Sequence, residues 1–163
     1  MTTSITNRSA PAWLRELARG RATYEELLGW PVSVRVGERV LTVAVGHTID
    51  AVRMPARLGA LVRAELCIAL LLGPVMADPD GGYWTFFTKP IDRLRPNIAA
   101  DLSDVHVLVV PHGHHVVVPT SPHVRSGTHW HWLEPPNPMR SLPPAYAVIG
   151  MTRRLTAQHR LAA

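Results

Sequence analysis

The first part of the chain changes from a helical to a strand-like pattern of apolar positions. Apolar residues recur at helical spacing over 13–28 with an interruption at Gly20, which predicts one broken helix or two short helices ending at Gly29. Residues 32–36 and 41–45 then alternate apolar and polar side chains, as half-buried strands do. The short turn between these two segments predicts a hairpin.

The middle of the chain predicts a helix followed by an aromatic strand. Pro55 suits the first turn of a helix, and the apolar spacing beyond it predicts a helix over 56–72. The single cysteine, Cys67, falls in this apolar helix and is interpreted as a small core residue. Residues 78–82 have the composition of a turn, and the aromatic run over 83–88 predicts a strand behind it.

The last third predicts three more strands and a terminal helix. The β-branched runs over 105–110 and 114–118 are separated by a Pro-His-Gly turn and predict a second hairpin. Residues 128–133 predict another strand, and a pair of prolines starts a terminal helix over 143–161.

Together these elements indicate the α+β class. About six strands and three helices in mixed order predict one mostly antiparallel central sheet with helices packed on it. A length of 163 residues with 47% hydrophobic content suits one core. We therefore expect a single domain over 11–163 after a flexible N-terminus over 1–10.

Composition and motifs exclude several broad classes of protein. The longest apolar run, residues 66–76, is far shorter than the roughly 20 residues of a bilayer span, so no membrane segment is expected. The N-terminus lacks the charged start and apolar region of a secretion signal, which favours the cytoplasm. One cysteine allows no internal disulfide. The phosphate loop, dinucleotide-binding, nucleophile-elbow and zinc-protease motifs are all absent from the sequence.

Charge is concentrated in the last third. The formal net charge is +5, and residues 105–163 carry five arginines against one acidic residue, Glu134, together with eight of the nine histidines. The planar guanidinium group binds phosphate or carboxylate through paired hydrogen bonds, so an anionic partner such as nucleic acid is one interpretation. A basic protein from a proteome that prefers arginine is the other.

The histidines also permit a metal-binding interpretation. His129 and His131 lie two residues apart, so on a strand both imidazoles would point to one face. His123 or Glu134 could complete a tetrahedral metal site. The alternative is that these histidines are surface residues of a strand and its loops.

Carboxylates are too few for an obvious catalytic cluster. Two-metal phosphoryl transfer usually needs an Asp-x-Asp on one strand, where the period of two sends both side chains to the same face. Asp78 and Asp80 have this spacing, but their Pro-Gly-Gly context is typical of a turn. Asp50, just before the predicted helix, is in a position more typical of a structural role.

Three segments resemble one known family in the same order along the chain. Gly29-Trp30-Pro31-Val32 follows the opening helix, the aromatic run 84–87 is central, and 116–127 leads into the aromatic segment 130–133. The series is similar to the N-terminal domain of bifunctional DNA primase/polymerases, in the archaeo-eukaryotic primase superfamily, over about residues 20–150. The resemblance implies a primase/polymerase-like α+β fold and a role in DNA replication.

The resemblance also implies where catalytic residues would lie. Active members carry an Asp-x-Asp on one strand, a Gly-x-His before the aromatic strand and a further Asp before a Pro-Pro-Ser stretch. Here the first is reduced at best to Asp50, the second reads Gly82-Tyr83-Trp84, and the third falls near His106 and Val107. Two divalent ions need such acids, so the resemblance implies a short, degenerate member without nucleotidyl transfer, in which Asp50 is the remaining catalytic candidate.

The function predicted on this basis is non-catalytic binding of single-stranded DNA, RNA or a nucleotide. Arginines would contact phosphates and tryptophans would stack on bases. Strand alternation places Trp130 and Trp132 on one face and the neighbouring histidines on the other, so one face is expected to be buried. The residues predicted to contact nucleic acid are Ser121, His123, Arg125, His129, Trp130, His131, Trp132, Arg153 and Arg154.

Other functions stay open at this point. The fold could serve a protein-interaction or regulatory module with a protein partner, an active primase/polymerase, or a histidine-metal enzyme built on His123, His129 and His131. No cofactor is expected for the binding function. Divalent Mg, Mn or Zn ions belong to the enzymatic alternatives.

Overall fold

The structure is a computed structural model that describes residues 10–161, so the flexible N-terminus expected over 1–10 lies outside the described residues apart from Ala10. Within 10–161 the chain forms four helices and eight strands. The helices are α1 (Ala12–Leu28), α2 (Ala56–Ile68), α3 (Pro96–Ser103) and α4 (Ala145–Leu161). The strands are β1 (Val32–Arg35), β2 (Val40–Ala44), β3 (Asp50–Pro55), β4 (Val75–Ala77), β5 (Tyr83–Thr88), β6 (Leu108–Val109), β7 (His115–Val118) and β8 (His131–Glu134).

The strands form two antiparallel sheets. The smaller has the order β1-β2-β7, and the larger has the order β6-β3-β5-β4-β8. The α+β class, the first hairpin, the aromatic strand and the terminal helix are confirmed. The antiparallel sheet that the sequence predicts as one unit is divided into two.

The hairpin predicted over 105–118 is wrong. Strand β6 pairs with β3 in the larger sheet, whereas β7 pairs with β2 in the smaller one. The connecting segment 111–114 carries the chain from one sheet to the other, and Gly113 within it has a φ of 86°. A Pro-His-Gly sequence therefore marks a crossing between sheets here rather than a hairpin turn.

Three elements are absent from the sequence prediction. Strand β3 ends at Pro55, directly before α2, so its apolar residues merge with the start of the helix. Strand β4 has three residues and follows directly after the end of the helix predicted over 56–72. Helix α3 begins at Pro96 in a stretch whose polar composition indicates a loop.

Helix α1 is continuous, so the predicted break at Gly20 is wrong. A Cβ atom on Gly20 would lie 1.9 Å from the carbonyl oxygen of Thr120, which means that the glycine allows the 119–120 backbone to approach the helix. Helix α2 ends at Ile68, earlier than predicted, because Leu70 takes a left-handed conformation. Cys67 is exposed on α2 and is not a core residue.

The five-stranded sheet separates two hydrophobic cores. One face packs against α1 and the smaller sheet, and the other face is covered by α2 and α4. The first core contains an aromatic cluster, defined as Tyr24, Trp30, Phe87 and Trp132. Within it the Trp30 ring centroid lies 5.4 Å from that of Phe87 and 6.0 Å from that of Trp132. Such contacts stabilise beyond the area they bury.

A buried hydrogen-bond chain runs through the aromatic cluster. The Tyr24 hydroxyl donates to the carbonyl oxygen of Pro119 at 2.9 Å and accepts from Trp132 Nε1 at 3.1 Å. Burial raises the pKa of Tyr24 well above its ordinary value, and the Trp132 hydrogen bond offsets part of that rise. These hydrogen bonds join α1, the segment after β7 and strand β8.

None of the helices described in 10–161 is both long and apolar enough to cross a membrane.

Candidate nucleic-acid interface

Three adjacent strands hold the positions where the resemblance places the catalytic motifs. Strand β3 begins at Asp50, Tyr83 starts β5, and Leu108 starts β6 directly after His106 and Val107. The sheet order β6-β3-β5 places β3 between the other two. The structure therefore brings the three motif positions together although they are far apart in sequence.

Neither face of β3 carries two carboxylates. Val52 and Met54 pack in the second core, and alternation places Asp50 on that helix-covered face with them. Ala51 and Arg53 lie on the opposite face. An Asp-x-Asp pair requires two acids on one face, so β3 lacks such a pair.

Arginine occupies the exposed part of this opposite face. The Arg53 guanidinium carbon lies 4.2 Å from the centre of the Tyr83 ring, and Nη2 lies 3.4 Å from Asp78 Oδ2. Arg53 is directly opposite Leu108 in the β3/β6 register. We call the surface formed by Arg53, Tyr83 and Leu108 the motif face.

A cavity of about 370 Å³ opens beside the motif face. Its polar lining comes from Arg53, Tyr83, Ser103 and His106, and Leu108 adds an apolar side chain. Guanidinium, phenol, hydroxyl and imidazole groups donate hydrogen bonds. The lining therefore suits an anion attached to an apolar or aromatic group.

Asp50 is buried on the other side of β3. Its Oδ2 accepts a hydrogen bond from the Ile91 amide at 2.7 Å and lies 2.9 Å from His112 Nε2, whereas Oδ1 has no hydrogen-bond partner among residues 10–161. The Asp50 side chain is 0% exposed and that of His112 is 49% exposed. Asp50 thus connects β3 to the segments before α3 and before β7, on the face away from Arg53.

The donor set does not fit a pair of divalent cations. Within the described part of the chain, no group of three or more His, Cys, Asp or Glu side chains is placed to hold a metal ion. His123, His129 and His131 are not brought together as a metal site, and Glu134 is ion-paired with Arg63. We derive no step through a bound metal.

The segment 119–130, which we call the basic loop, connects β7 to β8. His123, Arg125 and His129 are exposed on it, and no ion pair described within 10–161 involves them. The Ser121 hydroxyl accepts a hydrogen bond from the His123 amide at 3.2 Å. The Trp132 amide donates to the Val124 carbonyl at 2.7 Å, which ties the loop to β8.

The two tryptophans predicted to stack on bases belong to the first core. Trp132 is 1% exposed, and Trp130 is partly buried against the same cluster. Both are therefore on one buried side, as alternation predicts, and Trp132 offers no open ring face. His131 Nδ1 lies 2.9 Å from the His129 carbonyl oxygen.

The two predicted arginines of α4 lie apart from the basic loop in the fold. Arg153 pairs with Asp101 of α3 at 2.8 Å, and Arg154 pairs with Glu65 of α2 at 2.6 Å. These pairs join α4 to its neighbouring helices. Their side chains are about half exposed, so part of each guanidinium stays open to solvent.

A comparison with models of known families shows to which family this chain belongs. The model of the N-terminal domain of bifunctional DNA primase/polymerases matches residues 7–145, which is most of the chain. The chain belongs to that family. Comparisons with curated proteins and with solved structures gave no match.

The structure adds candidate binding residues that the sequence pattern did not indicate. Arg53, Tyr83 and Ser103 line the cavity beside the motif positions, and none was singled out as a binding residue. The signal was present in β3, where Arg53 is the one charged residue in an otherwise apolar strand after Asp50. Because β3 was not predicted as a strand, this position of Arg53 was not recognised.

Proposed function

We propose that this primase/polymerase-family domain binds single-stranded nucleic acid without transferring nucleotides. The observation that carries the proposal is that the three converging motif positions hold one carboxylate, Asp50, while an arginine lies on the other face of β3 beside them. The motif face presents Arg53, Tyr83 and Leu108, and Asp50 is enclosed on the opposite face. Two-metal nucleotidyl transfer needs more acids than this one, and the exposed face beside the motif positions offers a cation.

The motif face has the chemistry to contact a nucleotide directly. An arginine can bind phosphate through two parallel hydrogen bonds, and this one already lies over an aromatic ring. Tyr83 and Leu108 supply surfaces for a base or sugar. Phosphate charge would be neutralised by the protein rather than by divalent ions.

The basic loop provides a second, electrostatic contact. Arg125, His123 and His129 are exposed, and their region of sequence carries only Glu134 as an acid, which Arg63 already neutralises. A surface with unpaired cations attracts the phosphate backbone irrespective of base sequence. We expect the loop to contribute affinity and the cavity to contribute a preference for an unstacked nucleotide.

The proposal is tested by fluorescence anisotropy with labelled single-stranded DNA, single-stranded RNA and duplex DNA at several salt concentrations. We expect single strands to bind more tightly than duplex and affinity to fall steeply with salt, because bound phosphates release counterions. Arg125→Ala should weaken binding of all single-stranded sequences to a similar extent and reduce the salt slope by about one.

Arg35→Ala is the matched control, because Arg35 is also exposed but lies on β1 at the edge of the smaller sheet. An equal loss with both variants would indicate only a change in net charge. Absence of binding even at low salt would refute the proposal and favour the protein-interaction alternative. Stoichiometric zinc in untagged protein would favour the histidine-metal enzyme.

A further inference from the structure

Beyond Arg57, the exposed residues of α2 are apolar. Gly59, Val62 and Leu66 are buried beneath the helix, and Leu58 packs partly against the second core. Arg63 and Glu65 are partly buried in ion pairs with Glu134 and Arg154. A surface helix normally carries polar residues on its outer side. Here the exposed positions, which we call the outer stripe, are Arg57, Ala60, Leu61, Ala64, Cys67 and Ile68.

The outer stripe has the spacing of a helix-packing seam. Leu61, Ala64 and Ile68 follow one another at intervals of three and four residues, which places them in one line along the helix. Leu61 is 43% exposed and Ile68 is 78% exposed. Packing among residues 10–161 leaves this line open, although its pattern is that of a buried one.

The turn that ends α2 extends the apolar surface. Leu70 has a φ of 58° and is 92% exposed, and the following Leu71 is 39% exposed. A left-handed conformation at a helix end favours glycine, and a leucine there is strained. This leucine gains almost no burial within the described chain, so its side chain contributes to packing only if another surface covers it.

The charges of α2 indicate what kind of surface that is. The helix has no acidic residue in its first turn and no basic residue in its last turn. Arg57 instead lies near the N-terminus, where the helix dipole is positive, and no ion pair described within 10–161 involves it. An antiparallel helix would place its negative C-terminal end beside Arg57.

We propose that the outer stripe is the interface of a homodimer, in which α2 packs antiparallel against α2 of a second copy around a two-fold axis. In this arrangement Leu61 of one copy faces Ile68 of the other, and the small Ala64 lies near the axis. Each Arg57 lies beside the C-terminal end of the other helix. A second copy thus supplies both the apolar line and the opposite dipole end that the stripe lacks.

The length of the stripe predicts a weak dimer. Arg57 to Ile68 spans about 16 Å at the rise of an α-helix. One helix pair of this length buries less than the ~800 Å² per partner of a standard interface. We therefore expect a reversible dimer with a micromolar Kd, independent of whether nucleic acid binds to the motif face on another side of the molecule.

Sedimentation velocity of the full chain from about 1 to about 200 μM tests the association. We expect a concentration-dependent shift from monomer to dimer, and Ile68→Glu should raise the Kd at least about tenfold. Leu161→Glu is the control, because Leu161 is 90% exposed but lies at the end of α4 outside the stripe. A monomer throughout the concentration range, or equal effects of the two variants, would overturn the proposal.

Cysteine cross-linking tests the orientation of the helices. In a Cys67→Ser background, mixing Leu61→Cys with Ile68→Cys should give disulfide-linked heterodimers, because the two positions face each other. Each variant alone should cross-link much less, since like positions lie about 10 Å apart along the axis, beyond disulfide reach. Efficient cross-linking of either variant with itself would contradict the antiparallel arrangement.

Discussion

Ala51 and Arg53 lie on the same face of β3, yet one is enclosed and the other is open to solvent. Ala51 is 0% exposed beneath the smaller sheet, beside Phe87 and the rest of the aromatic cluster. Two residues later the same face carries Arg53 and the cavity of about 370 Å³. One sheet face therefore has a closed aromatic end and an open polar end.

The segments that resemble the family are largely structural in this chain. The segments that carry the resemblance supply Trp30, Phe87 and Trp132, all of which are packed in the closed end. Tyr24 and Pro119 join them through a hydrogen bond. Of the other positions expected to carry chemistry, Tyr83 and His106 line the cavity at the open end, where Arg53 is exposed. The resemblance therefore rests on packed residues at the closed end, whereas the open end carries an exposed cation and a cavity.

The largest expected effect comes from removing the centre of the closed end. Trp132→Ala deletes a ring that contacts Trp30 and Phe87 and a donor to Tyr24, so it should lower the free energy of unfolding by about 3–5 kcal/mol. Urea denaturation measures the change, and Trp130→Ala, at a partly buried ring, should cost clearly less. A similar loss for both would show that the cluster is not centred on Trp132.

The next largest effect comes from the hydrogen-bond chain. Tyr24→Phe keeps the ring but leaves Trp132 Nε1 and the Pro119 carbonyl without their partner, which should cost about 1–3 kcal/mol in urea denaturation. The aromatic packing should persist, with a native near-UV circular dichroism spectrum. An unchanged midpoint of unfolding would show that the hydroxyl is not a buried link.

A smaller effect is expected where α1 meets the segment after β7. Gly20→Ala should destabilise the protein by about 1–2 kcal/mol despite the higher helix propensity of alanine, because the new Cβ meets the Thr120 carbonyl. Gly150→Ala in α4 is the matched control, since nothing lies within 4 Å of its Cβ position. Gly150→Ala should raise the free energy of unfolding by up to about 1 kcal/mol. A change in stability of the same sign in both variants would contradict the close approach of the Thr120 carbonyl to α1.

The smallest effect on stability is expected at the open end. Arg53→Ala removes a partly exposed ion pair and a cation–π contact, so the free energy of unfolding should change by less than about 1 kcal/mol. The affinity of the Arg53→Ala variant for single-stranded DNA should nevertheless fall several-fold in anisotropy titrations. A large loss of stability with unchanged affinity would reverse the distinction between the two ends.

The sequence predicted the closed end better than the open end. The run 83–88 and the helix before Gly29 have strong local patterns, so their positions were confirmed. Strand β3 was missed because its first three residues are buried on both faces and it continues directly into α2 at Pro55, so no clear alternation marks it. The pairing of β6 with β3 depends on long-range contacts that no local pattern encodes.

The candidate site was predictable only in part for the same reason. The motif positions could be located from the resemblance, including the lack of acids near His106. The placement of Arg53 beside Tyr83 and Leu108 required the sheet register. Cys67 was wrongly assigned to the core because α2 carries apolar residues on its exposed face as well as on its buried face. The sequence pattern alone does not distinguish the outer stripe from the buried face.

The most direct test of the central claim compares the affinity for single-stranded DNA in EDTA and in Mn²⁺ at matched ionic strength. Because the motif positions hold one acid, Asp50, and the open end beside them presents Arg53, we predict the same Kd in both conditions. The account would be contradicted by an affinity that rises at least about tenfold with Mn²⁺ and loses this rise in Asp50→Asn. That result would make Asp50 a metal ligand and the chain a metal-dependent member of its family.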